Sequence, residues 1–411
     1  MIKEKYINHL NETAITIVNS RVECIGVKNI TKTGLRVYKN GYIGIASALG
    51  KYDNEKLENK AIDSLDDKIK YTCEISRDKT RIIDKRNNII DDKEFINETE
   101  LLFSELRECQ PNFSFSNKIK MIEITTTLSN DSNLYLQHSD KALEVELYFK
   151  EKSSKNVIDG EIKYFGRNYD RRLLVYEINM ILNAYKNNIK LENKETYPVI
   201  FLNSNNIILE KFITDLHGRN FAAGVSLFSD KQGQKMFNEE FTLYQSNNPE
   251  DVTNRTFFDA EGVVNKDYKF TLIENGVIKA PYTDKRLAEE YNLPKTGSAM
   301  SDYSEIPHTK YNSNLMLEES NKTVKELLGG NIGVLVLMSE GGDFTSDGNF
   351  STPVQLSMLF DGEKLIGRLP QIQLSSNIFD MFGNSFRGVG KDIFPFSKDK
   401  LIVMDMKVSE L

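Results

Sequence analysis

The chain has 411 residues, a formal net charge of −7 and 39% hydrophobic residues, but only four histidines, three cysteines and no tryptophan. This length predicts two or three domains, each large enough to bury an apolar core. The acidic balance argues against a protein that binds nucleic acid through its phosphates, because such binding needs clustered Lys and Arg.

The sequence also lacks membrane and export signals. No apolar run approaches the roughly 18 residues that cross a bilayer, and the first residues lack the apolar region of a signal peptide. Cys24, Cys73 and Cys109 form no closely spaced pair, which is typical of reduced thiols. We therefore expect a soluble cytoplasmic protein.

Three turn signals predict β-hairpins. Asn40-Gly41, Asn275-Gly276 and Asp361-Gly362 each lie between two segments of alternating apolar residues. Both central residues of a type I′ turn need positive φ, and Asn, Asp and Gly tolerate it best.

Helix signals are concentrated in the first half. Asn97 is a candidate N-cap, because Glu100 occupies the capping-box position. A second helix is predicted to begin at Asp170, and a third to run from near Ser204 until Gly218 ends it. Beyond residue 220 the pattern indicates strands and turns, with one short helix from Thr283 to Tyr291.

These elements predict an α+β fold. We expect an N-terminal α/β domain at residues 1–190 and a β-rich C-terminal domain at residues 198–411. The polar stretch 187–197 is the predicted boundary between them.

General enzyme signatures are absent from the sequence. There is no nucleophile elbow, and Gly329–Gly333 leads into a predicted strand rather than into the helix that a phosphate loop needs. Asp343–Asn349 lacks the distal Glu of an EF-hand loop. The histidines lie far apart, and none has a second His or Cys at zinc-ligand spacing: His9, His138, His217 and His308.

Six segments occur in an order that resembles the TldD/PmbA family. They include an Asp-x-Glu-Gly element, hairpins with Asn-Gly turns and a Lys-Thr-Gly-Ser-Ala segment. In chain order the segments are 35–47, Asp259–Gly262, Thr271–Lys279, Lys295–Ala299, Gly348–Ser351 and Asn377–Asp392. The resemblance implies an N-terminal α/β domain, a β-rich C-terminal domain of the TldD/PmbA type, and assembly as a dimer.

The resemblance also implies two functional branches. TldD-like members are zinc metallopeptidases of unfolded or small peptides, with a His-Glu-x-x-x-His helix and a distant C-terminal Cys as the zinc site. TldE-like (PmbA-like) members lack this site and act as partner subunits in proteolysis and peptide maturation. An older name for the family is modulator of DNA gyrase.

The zinc motif is degenerate in this chain. Counting back from Gly218 places Leu209, Glu210 and Thr214 where TldD-like members have His, Glu and His, and no cysteine follows Cys109. The resemblance is therefore closest to the TldE-like branch. We expect no metal and no cofactor here, and zinc in TldD-like relatives only.

Glu210 and His217 are the remaining candidates for catalysis. On one continuous helix they would share a face at i, i+7 and could act as a general base and an acid. The alternative is that Glu210 is a solvated helix residue and that His217 interacts with the helix dipole.

We expect a TldE-like subunit that supports cleavage of extended peptides by a zinc-bearing TldD-like partner. Two alternatives remain open: a self-sufficient peptidase with an unrecognised site, and a homodimeric, non-catalytic scaffold that binds peptides. Homodimer and heterodimer are both compatible with the sequence. Membrane contact and direct nucleic-acid binding are not expected.

Overall fold

A computed structural model describes residues 1–192, 194–204, 206–311, 314–394 and 397–411. The strands, in chain order, are β1 (Ile2–Val18), β2 (Arg21–Lys39), β3 (Tyr42–Leu49), β4 (Lys79–Lys85), β5 (Phe113–Asn130), β6 (Leu134–Glu151), β7 (Gly160–Gly166), β8 (Thr196–Leu202), β9 (Leu243–Ser246), β10 (Lys269–Glu274), β11 (Val277–Ile278), β12 (Ala299–Met300), β13 (His308–Thr309), β14 (Leu315–Leu317), β15 (Gly333–Ser339), β16 (Asp343–Phe344), β17 (Asn349–Phe360), β18 (Leu365–Arg368), β19 (Ile372–Asn377), β20 (Phe386–Ile393) and β21 (Lys400–Glu410).

The described ranges contain fewer helices than strands. They are α1 (Asn54–Asp63), α2 (Phe95–Cys109), α3 (Arg171–Tyr185), α4 (Glu210–Asp215), α5 (Gly218–Ala222), α6 (Lys285–Tyr291), α7 (Val324–Leu328) and α8 (Ile378–Met381). Helix makes up 19% and strand 43% of the structure, which confirms the predicted mixture of α and β elements. No helix in the described ranges is long and apolar enough to cross a membrane.

Two large sheets organise the fold. The first has the order β3-β2-β1-β5-β6-β4, with β7 also paired to β6, and all of its strands lie before residue 167. The second has the order β15-β8-β21-β19-β17-β16, with β18 and β20 at its margins. β9, β10, β11 and β14 form a smaller sheet within the second half.

One apolar core connects the two halves of the chain. Phe103 of α2 and Ile178 of α3 belong to the same buried cluster as Phe115 of the first sheet and Leu356 and Val403 of the second. The helices thus lie where both sheets can cover their apolar faces. The proposed domain limits at residues 190 and 198 stay a prediction, and position 193 of that stretch lies outside the described residues.

The three predicted hairpins form, with one difference in turn geometry. Asn40-Gly41 joins β2 to β3 and Asn275-Gly276 joins β10 to β11, and all four residues have positive φ as type I′ turns require. At the third hairpin Phe360 pairs with Leu365, so the connection has four residues and only Gly362 has positive φ.

Of the two predicted helix caps, Asp170 is confirmed and Asn97 is not. Asp170 caps α3 as predicted, since its carboxylate accepts hydrogen bonds from the N–H groups of Arg172 and Leu173. The expectation for Asn97 is wrong: α2 already begins at Phe95, whose side chain is buried and joins the core. Asn97 therefore lies in the first turn of the helix.

We predict that Asp170→Ala lowers the free energy of unfolding by about 1 kcal/mol, because two N–H groups at the start of α3 lose their acceptor. Urea denaturation followed by circular dichroism measures the change. Asp170→Asn keeps an acceptor oxygen and should unfold close to wild type. Equal midpoints for Asp170→Ala and wild type would contradict the assigned cap.

Candidate functional site

The positions of the degenerate zinc motif lie on two short helices and not on one. A 3₁₀ segment (Asn206–Leu209) leads into α4, and α5 begins at Gly218 after a break. The break has a tertiary cause: Tyr282 N–H donates to the carbonyl of Leu216 at 2.8 Å, and Gly218 N–H donates to the carbonyl of Tyr282 at 2.9 Å. The predicted single helix from Ser204 to Gly218 is therefore wrong, and Asn205 lies outside the described residues.

The three motif positions differ in burial. Leu209 is only 4% exposed and belongs to the apolar core, whereas Glu210 and Thr214 are exposed to solvent. A leucine side chain has no atom that can bind a metal. Within the described ranges, no group of three or more His, Cys, Asp or Glu side chains is arranged to hold a metal ion. The residues at these positions do not fit the zinc site of TldD-like proteins.

Glu210 lines a cleft of about 380 Å³ that is rich in acidic side chains. Glu177, Glu340 and Asp399 line the same cleft. Glu210 is exposed as a residue, but partial desolvation of its carboxyl in the cleft and then the negative charge of Asp343 raise its pKa above the ordinary value of a glutamate. The structure therefore places Glu210 among other carboxylates.

His217 occupies a different cleft, of about 980 Å³, and both of its ring nitrogens are engaged. Its Nδ1 accepts a hydrogen bond from Arg219 N–H at 3.2 Å, which caps α5, and its Nε2 lies 3.3 Å from the carbonyl of Thr309. The ring also lies 4.5 Å from the ring of Tyr311, centroid to centroid. Burial lowers the pKa of His217.

The predicted placement of Glu210 and His217 on one helix face is thus wrong. They lie on separate helical segments and line separate clefts. His217 has the neutral form that donates from Nε2, because Nδ1 accepts a backbone hydrogen bond. It caps the N-terminus of α5 and does not lie at the C-terminus of a longer helix.

The Asp-x-Glu-Gly element carries two buried carboxylates, with Asp259 6% and Glu261 3% exposed. The Asp259 carboxylate accepts hydrogen bonds from the N–H groups of Glu261, Val263 and Ala299 at 2.8 to 3.1 Å. These bonds fix the turn at Gly262, whose φ of +74° suits glycine. Burial raises the pKa of Asp259.

Glu261 links this turn to the N-terminal half. Its Oε1 accepts a hydrogen bond from the Tyr71 hydroxyl at 2.8 Å, and its Oε2 accepts one from Lys285 N–H at 2.8 Å. Its carbonyl accepts from the Ser76 hydroxyl at 2.7 Å. Burial, and then the negative charge of Asp259, raise the pKa of the Glu261 carboxyl.

A buried ion pair completes the link from the first sheet. Arg36 of β2 and Glu4 of β1 are 1% and 2% exposed, and their side chains are 3.1 Å apart. Arg36 Nη1 also donates to the carbonyl of Ala260 at 2.6 Å, and Tyr38 donates to Glu4 at 2.9 Å. Sequence reasoning did not find this pair, because isolated charges on alternating strands usually face solvent.

A second charged link holds the loop before this element. The Arg167 guanidinium donates to both carboxylate oxygens of Asp140 and to the carbonyl of Val252. Asp140 also accepts from Asn254 N–H at 2.7 Å. Although burial opposes it, the His138 ring, Arg167 and Asn254 N–H together lower the pKa of Asp140 to about 2.

These links surround a polar cleft of about 610 Å³ between the first sheet and the loops of the second half. Amide and hydroxyl side chains line it from both sides, among them Asn8, Thr126, Asn247, Ser298 and Ser301. Such groups can donate and accept hydrogen bonds without requiring a charged ligand. The cleft is thus suited to a polar ligand.

We predict that Glu261→Gln flattens the pH dependence of stability. A carboxyl whose pKa is raised by folding holds its proton more tightly in the folded state, so the free energy of unfolding falls as pH rises. For wild type this fall spans about pH 5 to about pH 8. Over this range we expect the free energy of unfolding of the variant to fall less than that of wild type, with a difference on the order of 1 kcal/mol.

Urea denaturation at the two ends of this pH range measures the change in the free energy of unfolding. Glu290→Gln, at an exposed position on α6, is the matched control. An unchanged slope in Glu261→Gln would contradict the assigned role of burial.

Solved structures with the same fold confirm the architecture. TldE from Thermococcus kodakarensis matches with a TM-score of 0.80 at 18% identity, over 99% of this chain and 96% of that chain. A putative modulator of a DNA gyrase from Thermotoga maritima matches with a TM-score of 0.80 at 17% identity, with the same coverage. A putative modulator of DNA gyrase from Bacteroides thetaiotaomicron matches with a TM-score of 0.77 at 15% identity, over 100% and 95%.

Sequence comparisons identify the family. An uncharacterised protein of Methanocaldococcus jannaschii is 24% identical over 202 residues, which span 48% of this chain and 45% of that relative. The model of the PmbA/TldA metallopeptidase C-terminal domain matches residues 194–410, more than half of the chain. The chain therefore belongs to the TldD/PmbA family.

Proposed function

We propose that this chain is a metal-free, TldE-like subunit that supports the cleavage of unfolded or small peptides by a zinc-bearing TldD-like partner. The observation that carries the proposal is the burial of Leu209 in the apolar core, at the position where the resemblance places the first zinc ligand of TldD-like members. A histidine ligand at position 209 would place a polar imidazole ring in the apolar core, where the leucine side chain now packs. The shared fold with TldE is consistent with the proposal.

The other motif positions also favour a non-catalytic subunit. Glu210 has kept the carboxylate that activates water in the metal-bearing branch, but it lies among carboxylates and has no histidine beside it. His217 is engaged by backbone groups on both ring nitrogens. Neither residue is arranged to pass a proton to or from a peptide bond.

The polar cleft gives the subunit a way to contribute to peptide binding. Its amide and hydroxyl groups can pair with the main chain of an extended peptide, which gives binding with little preference for side chains. In this proposal the chain holds and orients the peptide, and the partner supplies the metal and the activated water.

The test is peptide cleavage by a TldD-like protein from the same genome, with and without this chain. We predict that addition of the chain increases cleavage of an unfolded peptide about tenfold or more, which corresponds to ~1.4 kcal/mol of transition-state stabilisation. The two proteins should also co-elute in size-exclusion chromatography. Equal cleavage with and without the chain, together with separate elution, would contradict the proposal.

Two exposed positions on α4 distinguish a silent subunit from an enzyme. We predict that Glu210→Gln supports cleavage within about twofold of wild type, as does the neighbouring control Thr214→Ala. Loss of cleavage in Glu210→Gln alone would instead favour a catalytic site in this chain. Peptide cleavage by the chain without any partner would favour the same alternative.

A further inference from the structure

The cleft of about 980 Å³ that contains His217 is lined by positively charged side chains from three separate parts of the chain. Lys70 comes from the first half, Arg219 from α5 and Arg286 from α6. The two arginines are brought together because His217 and Tyr282 pair as a parallel β-bridge, and α5 and α6 both follow this bridge in the chain direction. We call this cavity the basic cleft.

Backbone contacts fix the segments that carry these side chains. A Cβ at Gly218 would lie 2.7 Å from the Thr283 methyl carbon, so the glycine permits the two segments of the bridge to approach each other closely. Lys70 forms an isolated β-bridge with Tyr42, at the start of β3. Backbone pairing therefore sets the positions from which the cationic side chains extend.

The three cations form no ion pair with any carboxylate among the described residues. Lys70 and Arg219 are exposed to solvent. Arg286 donates from Nη2 to the carbonyl of Pro307 at 3.2 Å, while its buried Nε has no hydrogen-bond partner in the part of the chain that the structure describes. Like charges in one cavity repel each other, and an anion that they share relieves this repulsion.

Two carboxylates of the basic cleft are engaged by other groups of the chain. Asp284 accepts hydrogen bonds from Leu287 N–H, from Thr309 N–H and from the Thr309 hydroxyl, at 2.7 to 2.9 Å. The Glu289 carboxylate lies 3.2 Å from the Lys295 ammonium. These carboxylates therefore do not neutralise the three cations.

The two other charged residues of the cleft also have partners. The hydrogen bond and the negative charge of Glu290 raise the pKa of Tyr291. Lys310 forms an ion pair with Glu305. Within the described ranges, the three cations are thus the charged Lys, Arg, Asp and Glu side chains of the basic cleft that lack an internal partner.

An aromatic surface lies in the same cleft. The rings of His217 and Tyr311 are 4.5 Å apart, centroid to centroid, and Tyr311 is 58% exposed. An exposed ring can pack against an apolar side chain, while the cations bind a neighbouring anion. The C-terminal residue of a peptide combines these two groups, because its carboxylate and its side chain are attached to one Cα atom.

A chain of phosphates fits the basic cleft less well. Proteins commonly hold such chains with a glycine-rich loop before a helix or with a metal ion. Among the described residues, no glycine lines the cleft and no group of side chains is arranged to hold a metal ion. The carboxylates that line the cleft also repel a ligand with several negative charges more strongly than a single carboxylate.

We propose that the basic cleft binds the free C-terminal carboxylate of a peptide through Arg219, Arg286 and Lys70. Arginine presents paired N–H donors that match the two oxygens of a carboxylate, and lysine adds a point charge. This inference rests on the proposed function, because it takes a peptide as the ligand, and it adds which end of the peptide the chain recognises. β12 lines the polar cleft and its partner strand β13 lines the basic cleft, so the two clefts share one ribbon.

Fluorescence anisotropy with the isolated chain tests the proposal. The probe is a short uncharged peptide with a fluorophore at its N-terminus, prepared with a free C-terminal carboxylate and, separately, with a C-terminal amide. We expect roughly tenfold tighter binding of the carboxylate form, because the amide cannot accept charge-assisted hydrogen bonds. Equal affinity of the two forms, or binding of neither, would overturn the proposal.

Variants assign the preference to the basic cleft. The double variant Lys70→Gln with Arg219→Gln should lose most of the preference for the carboxylate form, and both positions are exposed, so little packing is lost. Arg172→Gln removes an exposed arginine of α3 and is the matched control, which should keep the preference. Circular dichroism spectra equal to wild type confirm that the variants fold. A double variant that keeps the full preference would overturn the assignment.

Inorganic phosphate distinguishes a peptide carboxylate from a free anion. Guanidinium groups bind both, so we expect phosphate to displace the carboxylate form only in the millimolar range or above. Displacement by micromolar phosphate would make the free anion the ligand and overturn the proposal. No cleavage is measured in these experiments, so a failed partnership with a TldD-like protein would leave their result unchanged. Equal binding of both peptide forms would remove this site but not the binding of peptides by the chain.

Discussion

The buried ion pair between Arg36 and Glu4 is the constraint on which the arrangement of the two halves depends. Charges this deeply buried are costly unless each has a close partner and further hydrogen bonds. Arg36 finds its second acceptor in the carbonyl of Ala260, within the Asp-x-Glu-Gly turn. The first sheet therefore needs this turn of the second half, and the turn needs Asp259 and Glu261 to keep its shape.

The positions of the clefts follow from this link. The turn holds the loops around residues 247–260 beside the first sheet, and the Asp140–Arg167 pair fixes the carbonyl of Val252 in the same loop. Together they form the walls of the polar cleft. On the other side of the second half, pairing with Tyr282 interrupts the helix and separates Glu210 from His217. Tertiary contacts thus both form the polar cleft and place Glu210 and His217 in separate clefts.

Features set by neighbouring residues could be predicted from the sequence. Asn40-Gly41 forms the turn that its residue types favour, and Asp170 forms the helix cap that its residue type favours. Both features depend only on residues within a few positions along the chain. Features set by distant residues could not be predicted. Glu4 and Arg36 are 32 residues apart, and the second acceptor of Arg36, the carbonyl of Ala260, lies 224 residues further along the chain. The order of family motifs identified the fold, but nothing near residue 217 indicated that Tyr282 would pair there.

The zinc content of the purified chain tests the proposed metal-free subunit most directly, measured by inductively coupled plasma mass spectrometry after dialysis, for the chain alone and for the chain mixed with a TldD-like protein. We predict less than about 0.1 zinc per chain for the isolated protein, because Leu209 and Thr214 cannot replace histidine ligands, and one zinc per complex, held by the TldD-like subunit. One zinc per isolated chain that survives dialysis would contradict a metal-free subunit.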